Sequence, residues 1–152
     1  HGRTLDRAGT GLIRPATTAD TARLMTIWET SVRAAYHFLN AGDIDFYRPY
    51  LLAGLTGGEV WVAESEGMAA GFCTLIGENT LAMLFVDPAH QRGGVGRALI
   101  AHAYRLKGPL IVEVNEQVDG NVTFYEKCGF SVTGRSETDA AGNPYPIIYM
   151  AQ

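Results

Sequence analysis

The sequence predicts a mixed α/β fold built on one strongly twisted sheet, and three observations carry that prediction. Apolar runs Val60–Ala63, Ala69–Ile76 and Leu81–Val86 follow one another across the short turns Glu66-Gly67 and Gly77-Glu78-Asn79, the pattern of an antiparallel meander. The third run ends at Asp87-Pro88 and passes through a glycine-rich turn into a helical pattern. Beyond that helix, Leu110–Asn115, Gly129–Gly134 and Pro146–Met150 read as strands around one further helix, Val118–Lys127. With a short opening strand, Leu12–Pro15, the total is about seven strands flanked by about four helices.

Taken in order, Pro15 closes the first strand because it removes a ladder donor. Thr17-x-x-Asp20 is a capping-box variant, and Leu24, Ile27, Trp28 and Ser31 follow at helical spacing. Helical character continues from Val32 to Leu55, interrupted around Asn40-Ala41-Gly42, with Arg48-Pro49 expected to kink or break it again. Thr56-Gly57-Gly58 is then a turn into the meander. After the glycine loop, Val95, Leu99, His102, Ala103 and Leu106 form one apolar stripe, so a helix runs to about Lys107, where Gly108-Pro109 stops it. Ser136–Asn143 is a polar loop before the last strand. Residues 1–11 carry no periodic pattern and are set aside as a tag remnant or disordered arm, leaving 12–152 as one domain.

Composition narrows the function. The 152 residues suit a single domain with a sizeable core, and 47% hydrophobic with 18% charged residues is ordinary for a globular protein. A net charge of −4 argues against nucleic-acid binding and mildly favours cationic partners. No apolar run reaches the ~18 residues of a membrane span, and no secretory pattern is visible. Two cysteines, Cys73 and Cys128, read as reduced buried thiols of a cytoplasmic protein rather than a disulfide or a nucleophile. His37, His90 and His102 have no ligand spacing, so no metal site is expected.

The chemistry concentrates in Phe85-Val86-Asp87-Pro88-Ala89-His90-Gln91-Arg92-Gly93-Gly94-Val95-Gly96-Arg97. Glycines allow close backbone approach, the first N–H groups of the following helix lack intrahelical acceptors, and the helix dipole favours an anion there. Arg92 and Arg97 add charge suited to phosphate oxygens. The segment is not a P-loop, because Gly96 is followed by Arg97-Ala98, and it lacks the third glycine of a dinucleotide fingerprint, where Leu99 stands. It does match Gln/Arg-x-x-Gly-x-Gly/Ala, as Gln91-Arg92-Gly93-Gly94-Val95-Gly96. A second segment, Asn121-Val122-Thr123-Phe124-Tyr125-Glu126-Lys127-Cys128-Gly129-Phe130, has the form Asn-x-x-x-Phe-Tyr-x-x-x-Gly-Phe. Together they resemble the GNAT superfamily of N-acetyltransferases, over nearly the whole chain from about Leu12 to Met150. Val114-Asn115-Glu116-Gln117 and the tail from Gly134-Arg135-Ser136-Glu137 to Asn143-Pro144-Tyr145-Pro146 are most similar to its bacterial YjaB-like subgroup.

The resemblance implies a single GNAT-like domain that transfers an acetyl group from acetyl-CoA to a primary amine by direct attack, with the acceptor undetermined and a homodimer left open. It implies that the strands Leu81–Val86 and Leu110–Asn115 splay apart around the pantetheine arm, so that Leu84, Phe85, Val86 and Asn115 face the cofactor. The amide of Val86 would stabilise the developing oxyanion. Asn121 and Phe124 would line the arm, and Tyr125, one turn from Asn121, would protonate the departing thiolate. For the general base the candidate is Glu113, which strand alternation places on one face with Ile111 and Asn115; its other reading is a solvent-facing or salt-bridged carboxylate. Glu78, Glu137 and Asp139 are further carboxylates on the acceptor side, and Trp28, Tyr36, Phe46, Tyr47, Tyr145 and Tyr149 are aromatic candidates for that pocket or for the core. The alternative function is an acyl-CoA sensor that keeps the cradle without efficient chemistry.

Overall fold

In the computed structural model residues 11–152 are described throughout, and of the first ten only the backbone of Thr4–Asp6. Residues 1–3 and 7–10 of the segment set aside from the fold lie outside the described residues. Thr4–Asp6 (β1) pairs antiparallel with Gly11–Ile13, so this part of the segment extends the sheet.

One sheet runs β1-β2-β3-β4-β5-β6-β8-β7, where β2 is Gly11–Pro15, β3 Glu59–Ser65, β4 Met68–Ile76, β5 Thr80–Val86, β6 Ile111–Asn115, β7 Ser131–Ser136 and β8 Ile147–Ala151. Every pairing is antiparallel except β5 with β6. Strand alternation divides the core in two. On one face Val60, Val62 and Phe72 pack beneath α1 (Thr21–Ala35) and α2 (Ala41–Gly57), with Leu24, Ile27, Val32 and Leu51. On the other, Trp61, Ala63, Cys73 and Leu75 pack beneath α3 (Val95–Lys107) and α4 (Asn121–Lys127), with Leu99, Ala103 and Phe130. Cys73 and Cys128 are both free thiols. No helix among the described residues is long and apolar enough to cross a membrane.

Three local features depart from the sequence reading. The Thr17–Asp20 capping box exists, with the Thr17 N–H donating to Asp20 Oδ2 at 2.8 Å, but it closes a short 3-10 turn, Thr18–Asp20, ahead of α1. Pro49 does not break α2, which runs unbroken through Gly57. Asp45 and Pro49 both face solvent, so water serves the carbonyl that loses its partner. The break falls earlier, at residues 36–40, where Asn40 caps α2 by accepting from the Asp43 N–H at 2.8 Å. Finally, α4 begins at Asn121 rather than Val118, because Gly120 takes a left-handed conformation that ends the preceding turn.

One irregularity makes the site. Thr74 pairs with Met83 and Leu75 with Leu81, so Ala82 is an extra residue on β5, a bulge that bends the strand. The parallel pairing of β5 with β6 accordingly stops at Leu81↔Val112. Beyond it Ala82–Val86 and Glu113–Asn115 diverge and leave a wedge in the sheet.

Candidate active site

Backbone phase fixes what the wedge offers. The Asp87 N–H donates to Ala70 O across the β4–β5 ladder at 2.8 Å, so by antiparallel alternation Phe85 shares its phase. The N–H groups of Leu84 and Val86 therefore face the wedge. Ser31 of α1 donates from its hydroxyl to Val86 O at 2.8 Å and holds the end of β5 in place. At the strand's end the chain makes a 3-10 turn, Pro88–Gly93, with Asp87 Oδ1 accepting from the Ala89 N–H. Gly94 then enters α3 at φ 78°, a left-handed conformation favouring glycine. The first intrahelical bond runs from the Ala98 N–H to Gly94 O, leaving the N–H groups of Val95, Gly96 and Arg97 without intrahelical acceptors. A Cβ at Gly96 would lie 3.1 Å from Phe124 Cζ, so this glycine lets α3 and α4 approach.

Three cavities meet around the wedge. A cleft of about 320 Å³ runs between α1, β5 and α4 and is lined by Leu84, Phe85, Val86, Gln91, Gly96, Asn121, Phe124 and Tyr125, with Ser31, Tyr36 and Gly120 opposite. A pocket of about 370 Å³ lies on the other side of β5, between α2, the open end of β6 and the loop 137–146. A cavity of about 90 Å³ between β5 and β6 joins them, and Tyr36 and Phe85 line all three.

Most predicted cofactor residues line the first cleft. Arg92, Gly93 and Arg97 are exposed around the α3 N-terminus, and neither arginine is in an ion pair among the described residues. Val95 departs from the expectation: its side chain is buried in the core, leaving only its backbone for a ligand. Asn115 also lies elsewhere, lining the second pocket and the connecting cavity, while its carbonyl accepts from Asn121 Nδ2 at 3.3 Å. Glu113 lines the same two spaces, on the open sheet face, exposed rather than buried.

Tyr125 is 7% exposed, its ring held edge-on by Phe124 and Phe130, so packing and function use one side chain. Burial pushes its phenol well above the ordinary tyrosine value, and burial lifts Tyr36 up to about 12. Neither hydroxyl has a hydrogen-bond partner among the described residues. Both therefore stand protonated as available donors.

The second pocket is walled by Trp28, Tyr36, Phe38, Tyr47, Phe85 and Tyr145, with the carboxylates Glu113 and Asp139 and no lysine or arginine. Tyr47 donates to Asp139, and Tyr145 donates to Asp43 Oδ2 at 2.6 Å, so each of α2 and the loop 137–146 gives a phenol to a carboxylate of the other. Asp139 Oδ1 also accepts from the N–H groups of Ala141 and Asn143 at 3.0 and 2.9 Å. Of the aromatic candidates, Phe46 and Tyr149 are exposed outside the pocket; of the acidic ones, Glu137 lies outside it paired with Arg135, and Glu78 lies in the β4–β5 turn. Tyr36, like Trp28, Tyr47 and Tyr145 among the aromatic candidates, lines the pocket, whereas Ser31 and Phe38 carry no sequence signal that marks them as site residues.

A splayed α/β sheet with a helix N-terminus over the gap, a buried phenol beside it and a second pocket behind defines the acyl-CoA-dependent acetyltransferases. Residues 56–132 match the family model of the acetyltransferase (GNAT) domain, and the chain belongs to that family. It is 41% identical to the peptidyl-lysine N-acetyltransferase YjaB of Escherichia coli over 129 residues, 84% of this chain and 87% of that protein. The solution structure of apo YjaB superposes with a TM-score of 0.83 at 38% identity, covering 91% of this chain and 95% of that one. The structure of yncA from Salmonella typhimurium with its cofactor acetyl-CoA superposes with a TM-score of 0.62 at 26% identity, covering 92% of this chain and 91% of that one. The protein is an acetyl-CoA-dependent N-acetyltransferase, and acetyl-CoA is its donor.

Proposed function

We propose that the acceptor is the side-chain amine of a lysine in a polypeptide, acetylated by direct attack at the junction of the three cavities in the cytoplasm. The observation that carries this reading is the chemistry of the second pocket: an apolar, largely aromatic sleeve with two carboxylates and no cationic side chain. Such a sleeve suits an amine on a methylene stem. It disfavours amino acids, whose carboxylate would meet Glu113 and Asp139, and polyhydroxylated amines, which would leave many polar groups unpaired. The names of the relatives agree with this acceptor.

Acetyl-CoA, when bound, supplies an acetyl group activated as a thioester. The cleft fits it: free helix N–H groups and two arginines for phosphates, then a narrow passage lined by strand backbone. The amides of Leu84 and Val86, aimed into the wedge, donate where negative charge develops on the acetyl oxygen. Glu113 accepts the proton leaving the amine, through water, from the open face of β6. Tyr125 gives its proton at the departing sulfur. Its raised pKa keeps it protonated at neutral pH, so the proton is in place when the thiolate forms beside it.

The test is thiol release from acetyl-CoA across lysine peptides, polyamines, amino acids and aminoglycosides. Release is expected with lysine peptides, and Tyr125→Phe should lower kcat by about 10²-fold with little change in acetyl-CoA affinity. Full activity in that variant would remove Tyr125 from the chemistry, and turnover confined to another amine class would replace the acceptor.

A further inference from the structure

We infer that the protein selects lysines that have a bulky apolar neighbour in the acceptor sequence, and that Phe46 on α2 is the surface that reads it. The inference rests on the lysine-acceptor reading above. Phe46 is 45% exposed and Tyr50, one turn on, 56%, so the two rings in contact make a contiguous aromatic ridge on the outer face of α2. The patch is continuous with the acceptor pocket. Phe46 packs edge-on against Tyr47, with centroids 5.1 Å apart, and tilted against Tyr50 at 5.6 Å, and both tyrosines line the pocket that Phe46 itself does not reach.

Rigidity makes this ridge a reading surface rather than a loose patch. The Tyr47 hydroxyl is held by Asp139 and accepts from Asn143 Nδ2 at 2.7 Å, so the ring on which Phe46 leans is fixed from the pocket side. A small amine would be contained wholly within the pocket and would leave Phe46 uncovered. A second copy of the chain on this ridge would obstruct the pocket mouth and oppose turnover. A polypeptide acceptor does neither: its lysine stem enters the sleeve while the neighbouring side chain lies on Phe46. Glu113 and Asp139 in the lining, with the only nearby α2 cation, Arg48, engaged by Glu29 at 2.6 Å, match the positive charge that arrives.

The test compares kcat/KM for capped peptides holding one lysine flanked by glycine or by leucine, with Nα-acetyl-lysine amide as the small acceptor. The leucine peptide should exceed the glycine peptide by about fivefold, the scale of one apolar contact on an aromatic ring. Phe46→Ser should abolish that difference while leaving Nα-acetyl-lysine amide unchanged, and Phe46→Trp should keep it. Equal values for the two peptides in the wild type, or a difference that survives Phe46→Ser, would overturn the inference alone. Turnover of the small acceptor with no turnover of any peptide would overturn both it and the polypeptide reading. A change from dimer to monomer on Phe46→Ser would assign the ridge to a second copy and overturn it as well.

Discussion

Tyr36 stands where the donor cleft, the acceptor pocket and the passage between them meet. Its ring leans on Phe38 and Phe85, so its position does not depend on its hydroxyl. Burial lifts the phenol up to about 12, and it acts as neutral donor or acceptor, never as a base near neutrality. Tyr36→Phe therefore isolates one hydrogen bond at the reacting centre. We expect kcat to fall by about tenfold, with the KM for acetyl-CoA and the melting temperature little changed, in steady-state kinetics beside a thermal melt. Unchanged kcat would reduce Tyr36 to a wall. Asn121 and Tyr125 were legible because their spacing lies inside a motif with a chemical pattern. Tyr36 is legible only as one of six aromatics for the acceptor pocket or the core, and its place at the junction arises because α1 ends at Ala35 and Tyr36 leaves the helix at φ −98°, ψ 63°. Glu113 illustrates the opposite limit. Alternation gave its face correctly, but whether that face was covered depended on where the helices lie, and no helix covers it.

At the scale of elements, the acceptor pocket exists because two segments distant in sequence hold each other. Tyr145 donates to Asp43, and that bond first of all depresses the Asp43 carboxyl while raising the Tyr145 phenol; Asp43 is also the residue whose carboxylate caps α2 through the Asn40 N–H at 3.0 Å. The same carboxylate thus starts the helix and ties down the loop. Tyr145→Phe keeps the ring against Phe38 and removes only the tie. The KM for the amine acceptor should rise by about fivefold, the scale of one charge-assisted hydrogen bond, with the KM for acetyl-CoA unchanged because the donor cleft lies across β5. Equal shifts in both would mean that the loop supports the whole domain rather than the pocket. Elements were readable from sequence wherever the code was local: the meander, the glycine-to-helix turn and the apolar stripe of α3. The Ala82 bulge was not, since nothing in Leu81-Ala82-Met83 distinguishes an extra residue from a regular strand until β4 and β6 lie beside it. Pro49 misled for a related reason, because the cost of a proline in a helix depends on whether the lost partner faces water.

Across the whole molecule, the sheet separates two apolar layers, and among the described residues the one beneath α3 holds a buried imidazole. His102 is 4% exposed, stacks edge-on against Trp61 with centroids 4.3 Å apart, and has no hydrogen-bond partner at either ring nitrogen among the described residues. Burial, followed by the charge of Arg105, lowers its pKa below the ordinary 6.5, only partly opposed by Glu59. The unfolded chain therefore takes up a proton near that ordinary value while the folded one resists. Stability attached to this site is complete above pH 6.5 and is lost as the pH falls from there toward the lower folded value. His102→Leu removes both the titration and two unpaired polar atoms, whose burial costs about 1–3 kcal/mol, and gives up an aromatic contact of about 0.5–1.5 kcal/mol. The variant should stay within about 1 kcal/mol of the wild type near neutrality, a shift of a few degrees in melting temperature, and should be the more stable protein at pH 5. Denaturant melts of both proteins at pH 5 to 8 measure the difference directly. Parallel curves would show that the folded and unfolded states take up the His102 proton alike and that acid sensitivity arises elsewhere, while a constant offset above pH 6.5 with divergence below it would assign that sensitivity to one ring in the α3 layer.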